Sequence, residues 1–345
     1  MVKTRTIAGI SGRSDIHVGE SLDELRQYLP AGRRVAVITD TIVRDLYAKR
    51  FPQDAACITI GVGEEVKTMA TVEHIFEQLI AMDADRSTFI VGIGGGIVCD
   101  IAGLAASLYL RGVDFGYVST TLLAQVDASV GGKTGVNFGG YKNMVGVFNQ
   151  PRFVICDTSL LGTLPAGEVS CGFAEIVKHG VIADADMFAY LERNSAGALA
   201  LDDAVLQHLV VASVDIKAGV VGRDEKEKGE RRILNFGHTF GHAIEKSTGL
   251  RHGEAVSLGM VIAAALSVER GLLSREDEAR IVALLKSLQL PVKIEMDKDA
   301  VLDALMKDKK RQGDSIKFVL ADGLGGALVQ DVGYGELTRI VKRLD

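Results

Sequence analysis

Residues 87–96 read Ser-Thr-Phe-Ile-Val-Gly-Ile-Gly-Gly-Gly, a short β-branched run that ends on three glycines and leads into an apolar helical stretch at 99–109. A strand, a glycine turn and a helix in succession form the unit from which parallel sheets are built. The same texture recurs at 33–40 (RRVAVITD), 114–120 (DFGYVST) and 152–157 (RFVICD), with a helical pattern at 71–83. Strands alternating with helices predict an α/β N-terminal domain with a doubly wound, mostly parallel sheet over residues 1–161. Glycines at 94–96 let backbone N–H groups approach a pyrophosphate and set it on the positive end of a helix. The spacing is not GxGxxG, and a plain strand-to-helix turn accounts for it as well. Thr120 and Thr121 end the next strand at the same carboxyl edge, where open α/β sheets take their ligands.

Beyond residue 160 the texture changes. Apolar residues recur with helical period at 168–193, 203–221, 237–247, 253–270, 274–288 and 300–307, before a late hairpin pattern at 316–321 and 327–332. A mainly α-helical second domain is expected over 162–345. Hydrophobic content of 47%, charged content of 24% and a net charge of −6 describe a soluble globular chain with no basic excess for a nucleic-acid partner. Cys57, Cys99, Cys156 and Cys171 have no CxxC spacing, which predicts reduced, mostly buried thiols and a cytoplasmic setting. No run of 18 apolar residues and no leader-like start occur, so neither export nor membrane insertion is expected.

Three of the seven histidines lie within 238–252, in FGHTFGHAIE (236–245) and HGE (252–254). On a helix, His238 and His242 project from one face. Both could bind a metal, or one could bind it with His252 while the other handles protons. Glu245, Glu254 and Glu175 are the candidates for a carboxylate ligand. His17, His74, His179 and His208 are isolated and expected to be structural or exposed. Lys133, Lys142 and Asn143 stand in a Gly-rich segment, 131–146, with little helix or strand pattern. They suit a phosphate or carboxylate, or are solvated loop residues. The charge run at 224–232 reads as a solvated loop whose Arg231 can bind an anion near the histidines, with Lys217 on the preceding helix a second such group.

Together these pieces resemble the 3-dehydroquinate synthase family, in order along nearly the whole chain: GEEVK (63–67), GGGIVCD (94–100), YLRG (109–112), STTLLAQVDASVGGKTGVN (119–137), YKN (141–143), TLPAGE (163–168), FAEIVK (173–178), RRILNFGHTFGHAIE (231–245) and HGEAV (252–256). The resemblance implies that NAD and one divalent metal, zinc or cobalt, are cofactors. It makes Glu175, His238 and His252 the metal ligands and gives His242 a substrate-side role in proton handling, displacing the His238–His242 pair as joint ligands. It places Asp40, Glu64, Lys67, Gly95, Gly96, Ile97, Asp100, Thr120, Thr121, Leu123, Asp127, Lys142, Thr163, Leu164 and Glu168 around NAD. Asp127, Lys133, Asn143, Lys178, Lys217, Arg231 and Asn235 become substrate-side residues, with Lys217 and Arg231 on a carboxylate.

Arg111 matches a residue that reaches the neighbouring site in family dimers, which implies a homodimer. Lys317 is the candidate for a C-terminal phosphate-binding lysine, with Lys309 and Lys310 as rivals. The implied substrate is a seven-carbon acid phosphate, 3-deoxy-D-arabino-heptulosonate 7-phosphate. Its conversion runs through oxidation, phosphate β-elimination, reduction, ring opening and an internal aldol addition. A cyclase for another sugar 7-phosphate and an NAD- and metal-dependent polyol dehydrogenase are the alternatives. Cys99, Tyr141 and Leu160 depart from common family residues without removing a charged or metal-binding group.

Overall fold

The computed structural model describes residues 2–293, 297–312 and 314–343, without the side chains of 306–312 and 343. The chain divides into two compact units, Met1–Leu164 with Lys217–Lys226, and Pro165–Ile216 with Glu227–Asp345.

The first unit holds strands β1 (Lys3–Gly9), β2 (Gly12–Val18), β3 (Val35–Asp40), β4 (Ala56–Ile60), β5 (Phe89–Gly94), β6 (Phe115–Ser119), β7 (Lys133–Phe138), β8 (Tyr141–Phe148) and β9 (Phe153–Cys156). Its helices are α1 (Thr41–Tyr47), α2 (Met69–Ala81) and α3 (Gly96–Leu108). Seven strands form one sheet in the order β1-β2-β9-β6-β5-β3-β4, parallel throughout except for the β1–β2 edge. The order turns around at β3, with β4 on one side and β5 on the other, which is the switch point where such sheets leave a crevice. Val35, Val37, Phe89, Val91, Ile93, Val118, Phe153 and Ile155 share one buried core on one face of the sheet, and Ala36, Ile38, Ile90 and Val154, which alternate with them, are buried too, which explains why these strands read as continuous apolar runs. The registers Thr39↔Ile93 and Gly94↔Ser119 bring Asp40, Gly95 and Thr120 to one carboxyl edge.

The Gly-rich segment 131–146 differs from its expected irregularity. It contains the antiparallel hairpin β7–β8, turned by Gly139 (φ +59) and Gly140 (φ +80), a two-residue turn of the kind that matches strand twist. Gly135 and Gly146 lie where the two backbones approach too closely for side chains, so glycines that read as a loop are hairpin chemistry. The strands β1, β2 and β4 also go beyond the sequence expectation.

The segment Lys217–Lys226 is tied to this unit through Glu225. Its carboxylate accepts from the N–H of Ile10 (2.8 Å) and of Ser11 (3.1 Å), from the Ser11 hydroxyl, and from Gln150 Nε2 (3.5 Å). Burial pushes this carboxyl up, but the donors from Ser11, Ile10 and Gln150 outweigh it and leave it below its ordinary value.

The second unit holds α4 (Ala166–Ala183), α5 (Ala185–Leu199), α6 (Asp203–Arg223, whose end belongs to the first unit), α7 (His238–Thr248), α8 (His252–Glu269), α9 (Arg275–Ser287), α10 (Lys298–Gln312), β10 (Ser315–Ala321), β11 (Ala327–Gly333) and α11 (Tyr334–Arg343). The single helical stretch expected at 168–193 is broken at Asp184, whose Oδ1 accepts from Met187 N at 2.9 Å and caps α5. Among the described residues, α6 is long and apolar enough to cross a membrane by length and composition; 50% of its most apolar window is buried in the fold, and it carries Asp215 and Lys217. The cysteines are free thiols, three of them buried.

Helix α8 packs against α4, α7, α9, α11 and β10. Glycines make the first two contacts possible. A Cβ on Gly253 would collide with Cys171 Cα of α4, and one on Gly259 would collide with the carbonyl oxygen of Gly237, just before α7.

Two outcomes follow. Gly259→Ala gains about 1 kcal/mol of helix propensity, but the clash is with backbone and costs about 1–3 kcal/mol. The urea midpoint should therefore fall, and an unchanged midpoint would refute the close-approach account. Glu225→Gln should destabilise most at neutral pH. A carboxyl whose folded pKa is depressed contributes stability present above its unfolded pKa, near 4.5, and lost as pH falls through the folded value. The gap between wild-type and variant midpoints should narrow below that pH; a constant gap would show that Glu225 contributes through shape alone.

Candidate functional site

In the second unit, α4 presents Glu175 and Lys178, one helical turn apart and both fully buried. Lys178 Nζ donates to Glu175 Oε2. The other oxygen, Oε1, lies 3.5 Å from His238 Nε2 and 3.5 Å from His252 Nε2. His238 and His252 are the first residues of α7 and α8, so the glycine-mediated approach of these helices to each other and to α4 is what gathers the three side chains.

Each imidazole is oriented from behind. His238 Nδ1 is 3.1 Å from the Phe236 carbonyl oxygen, and His252 Nδ1 is 3.4 Å from Glu245 Oε2. An Nδ1–H that donates to an oxygen leaves the Nε2 lone pair facing Glu175, the tautomer a metal ligand needs. Glu175, His238 and His252 each offer one donor atom, all within 4.8 Å of one another. Two imidazole nitrogens and a carboxylate oxygen, with Oε1 otherwise lacking a hydrogen-bond donor, fit zinc or cobalt.

This arrangement separates the alternatives left open by spacing. His242 stands edge-on to His238, with ring centroids 5.3 Å apart, but lies outside the converging set. Glu245 supports His252, and Glu254 caps α8 by accepting from Arg251 N at 3.0 Å. Burial pushes the Glu175 carboxyl up, yet the Lys178 charge and the two imidazoles hold it well below the usual range. Burial pushes His238 down to about 3. For His252 burial also opposes the charge, but hydrogen bonds to Glu175 and Glu245 prevail and raise it to about 9, so a metal ion would have to displace a proton from its Nε2. Arg231 is buried on the 3₁₀ turn Glu230–Asn235, and Asn235 Nδ2 donates to Glu227 Oε1 at 2.6 Å. Glu168 sits in the first turn of α4.

In the first unit, the residues expected around NAD lie near the ends of four strands. Asp40 ends β3 and caps α1, accepting from Val43 N at 2.8 Å, and burial raises its carboxyl. Gly95 and Gly96 open α3; a Cβ on Gly95 would stand 3.0 Å from Thr121 Cγ2 and one on Gly96 2.9 Å from Ala128 Cβ, so a backbone cradle remains only with glycine. Ile97 and Asp100 follow in its first turns, Thr120 and Thr121 follow β6, and Leu123 leads into the π-helical turn Ala124–Ala128 that bears Asp127.

The turn after β4 brings Glu64 and Lys67. Lys67 Nζ donates to Asp100 Oδ2 (2.5 Å) and to Asn143 Oδ1 (2.6 Å), and Lys142 Nζ lies 3.7 Å from Glu64 Oε1. Burial drives the Asp100 carboxyl above its ordinary range even though the Lys67 charge opposes it. Lys217 Nζ pairs with the Asp127 carboxylate and carbonyl. Thr163 Oγ1 is 2.6 Å from Tyr47 Oη, next to Leu164, and Lys133 begins β7. Tyr47 has no signal in spacing that would have singled it out.

Arg111 is exposed beyond the far end of α3, about 20 Å from the glycine turn at 1.5 Å per residue. Lys317 forms a 2.7 Å cross-strand ion pair with Asp331, its register partner on β11. Its rivals Lys309 and Lys310 have side chains outside the described residues.

Residues 57–171 match the description "3-dehydroquinate synthase N-terminal" and residues 172–311 match "3-dehydroquinate synthase C-terminal". A curated 3-dehydroquinate synthase from Geobacter metallireducens is 47% identical over 309 residues, covering 86% of each chain. The chain belongs to the 3-dehydroquinate synthase family. Among solved structures similar to this family member, 2-deoxy-scyllo-inosose synthase complexed with carbaglucose-6-phosphate, NAD+ and Co2+ aligns with a TM-score of 0.89 at 30% identity, over 99% of this chain and 100% of that one. The 2-epi-5-epi-valiolone synthase of Streptomyces hygroscopicus subsp. jinggangensis, with NAD+ and Zn2+ bound, aligns with a TM-score of 0.88 at 28% identity, over 99% of both chains.

The three-donor centre predicts that Glu175→Gln and His238→Ala lower bound zinc from near one equivalent to below about a tenth, since removing a ligand costs tens-fold in affinity or more. His242→Ala should retain zinc. Elemental analysis of dialysed protein decides it, and zinc loss in His242→Ala with retention in Glu175→Gln would restore the His238–His242 assignment.

Proposed function

We propose that this chain is a 3-dehydroquinate synthase, converting 3-deoxy-D-arabino-heptulosonate 7-phosphate to 3-dehydroquinate and phosphate with NAD and one divalent metal ion. The observation that carries the proposal is the convergence of Glu175, His238 and His252 beside a buried Lys178 in a chain 47% identical to a curated enzyme of that name. The structural neighbours crystallised with NAD+ and Co2+ or Zn2+ support the cofactors. Residues 1–161 are read as the NAD-binding domain and 162–345 as the metal- and substrate-binding one.

When bound, the metal supplies Lewis acidity at a substrate hydroxyl, and NAD takes up and returns the hydride. Lys178 keeps Glu175 an anionic ligand, and the carbonyl of Phe236 and the carboxylate of Glu245 hold the two imidazoles in the ligating tautomer. Gly95 and Gly96 leave the N-terminus of α3 open to a pyrophosphate, with Asp40, Glu64, Lys67, Asp100, Thr120, Thr121 and Lys142 around it. Lys217 and Arg231 are assigned to the substrate carboxylate and Lys133, Asn143 and His242 to its phosphate end; holding one molecule at several points keeps successive intermediates in reactive geometry. The family resemblance implies that the leaving phosphate serves as its own base.

Lys217, Arg231 and Asn235, each of which the resemblance assigns to a carboxylate-bearing substrate, favour this reaction over cyclisation of a sugar phosphate that lacks a carboxylate. A homodimer is supported by Arg111, beyond the far end of α3 from its own glycine turn, and by the exposed apolar side chains Leu108, Leu110, Phe138, Tyr141 and Met144. The free thiols support a reducing cytoplasm.

Purified protein with catalytic NAD and zinc or cobalt should release phosphate from 3-deoxy-D-arabino-heptulosonate 7-phosphate without net NADH, and chelation should stop it. Lys217→Ala should lower kcat/KM by about a hundredfold or more, as for truncating one partner of a charge-assisted contact. Net NADH formation from a polyol, with no phosphate release, would refute the proposal.

A further inference from the structure

The tip of the β7–β8 hairpin is held by a side chain to which nothing above assigns a role. Asn137 Nδ2 donates to Glu64 Oε1 at 2.8 Å, and its Oδ1 accepts the backbone N–H of Asn143 at 2.9 Å. Its own backbone N–H donates to the Lys67 carbonyl at 2.8 Å. One residue thus touches Glu64 and Lys67, from the turn after β4, and Asn143, from the start of β8.

The chemistry suits a carboxamide. A carboxylate can only accept and a backbone N–H can only donate, so their common partner must offer a donor and an acceptor from one rigid group. Asp would set a second carboxylate against Glu64, and Leu would offer neither bond. The hold on Asn143 matters because its φ is +51, a left-handed conformation that Asn tolerates better than most residues but that is sparsely populated without support. From the other side, Lys67 Nζ takes Asn143 Oδ1 while also bonding Asp100. The Asn143 side chain is therefore aimed by Lys67 and its backbone by Asn137.

We propose that Asn137 is a positioning residue that fixes the cofactor-side pair Glu64 and Lys67 and the substrate-side amide of Asn143 in one geometry. The inference rests on the assignment of Glu64 and Lys67 to NAD and of Asn143 to the substrate. It predicts that one substitution, in a residue assigned to neither molecule, weakens both.

The test measures NAD affinity by calorimetry without substrate, and steady-state phosphate release with it. Asn137→Ala should raise the NAD Kd and the substrate KM each about tenfold, the usual consequence of losing a hydrogen bond to a charged group, with kcat within about threefold. Asn149→Ala removes a different amide contact at the base of the same hairpin, Nδ2 to Ser107 Oγ at 2.9 Å, and should leave both constants within about twofold. Asn137→Asp should be worse than Asn137→Ala. In a Glu64→Gln background it should cost much less, because the new carboxylate can accept from the new amide while still holding Asn143.

Wild-type constants in Asn137→Ala, equal losses in Asn149→Ala, or an Asn137→Asp penalty that is the same with and without Glu64→Gln would each overturn the inference. The last comparison decides the matter even if Asn137→Ala fails to fold. Absence of NAD binding and phosphate release in the wild-type protein would instead overturn the assignment on which the inference rests.

Discussion

A carboxylate with no exposure to water is the constraint around which the second unit is organised. Removing an ionised group from solvent costs several kcal/mol even after relaxation, so Glu175 exists as an anion only with compensation on both oxygens. One oxygen takes the ammonium of Lys178, a turn away on the same helix. The other faces two imidazole nitrogens at 3.5 Å. Three helices must come close for this to happen, and close approach requires backbone without side chains at Gly253 and Gly259. The chemistry of the site and the packing of α4, α7 and α8 are one requirement.

Much of the fold was legible because buried parallel strands and amphipathic helices leave distinct periods. The strands β3, β5, β6 and β9 fell within one or two residues of the runs that predicted them. The pattern fails where burial is one-sided or absent: β1 is exposed along most of its length, and β8 likewise. Glycine has two meanings, and at 131–146 composition suggested an irregular loop where the structure has a turn and a close backbone crossing.

For the site, spacing located the histidine cluster but could not choose the ligands. His238 and His242 share a helical face, yet His252, fourteen residues from His238 on another helix, completes the set. Glu175 lies sixty-three residues before His238, and only its resemblance to family motifs selected it from three carboxylates. Glu245 meets His252 at Nδ1, the ring nitrogen that faces away from Glu175, a distinction invisible in sequence. In the first unit the same holds for the Lys67, Asp100 and Asn143 cluster, three segments brought together by the fold.

X-ray absorption on the cobalt-loaded protein tests the central claim most directly. A protein-derived shell of two imidazole nitrogens and one carboxylate oxygen, at about 2.0–2.2 Å, is the predicted result. A shell of three imidazoles, or one of oxygens alone, would contradict the assignment of Glu175, His238 and His252 as the metal centre.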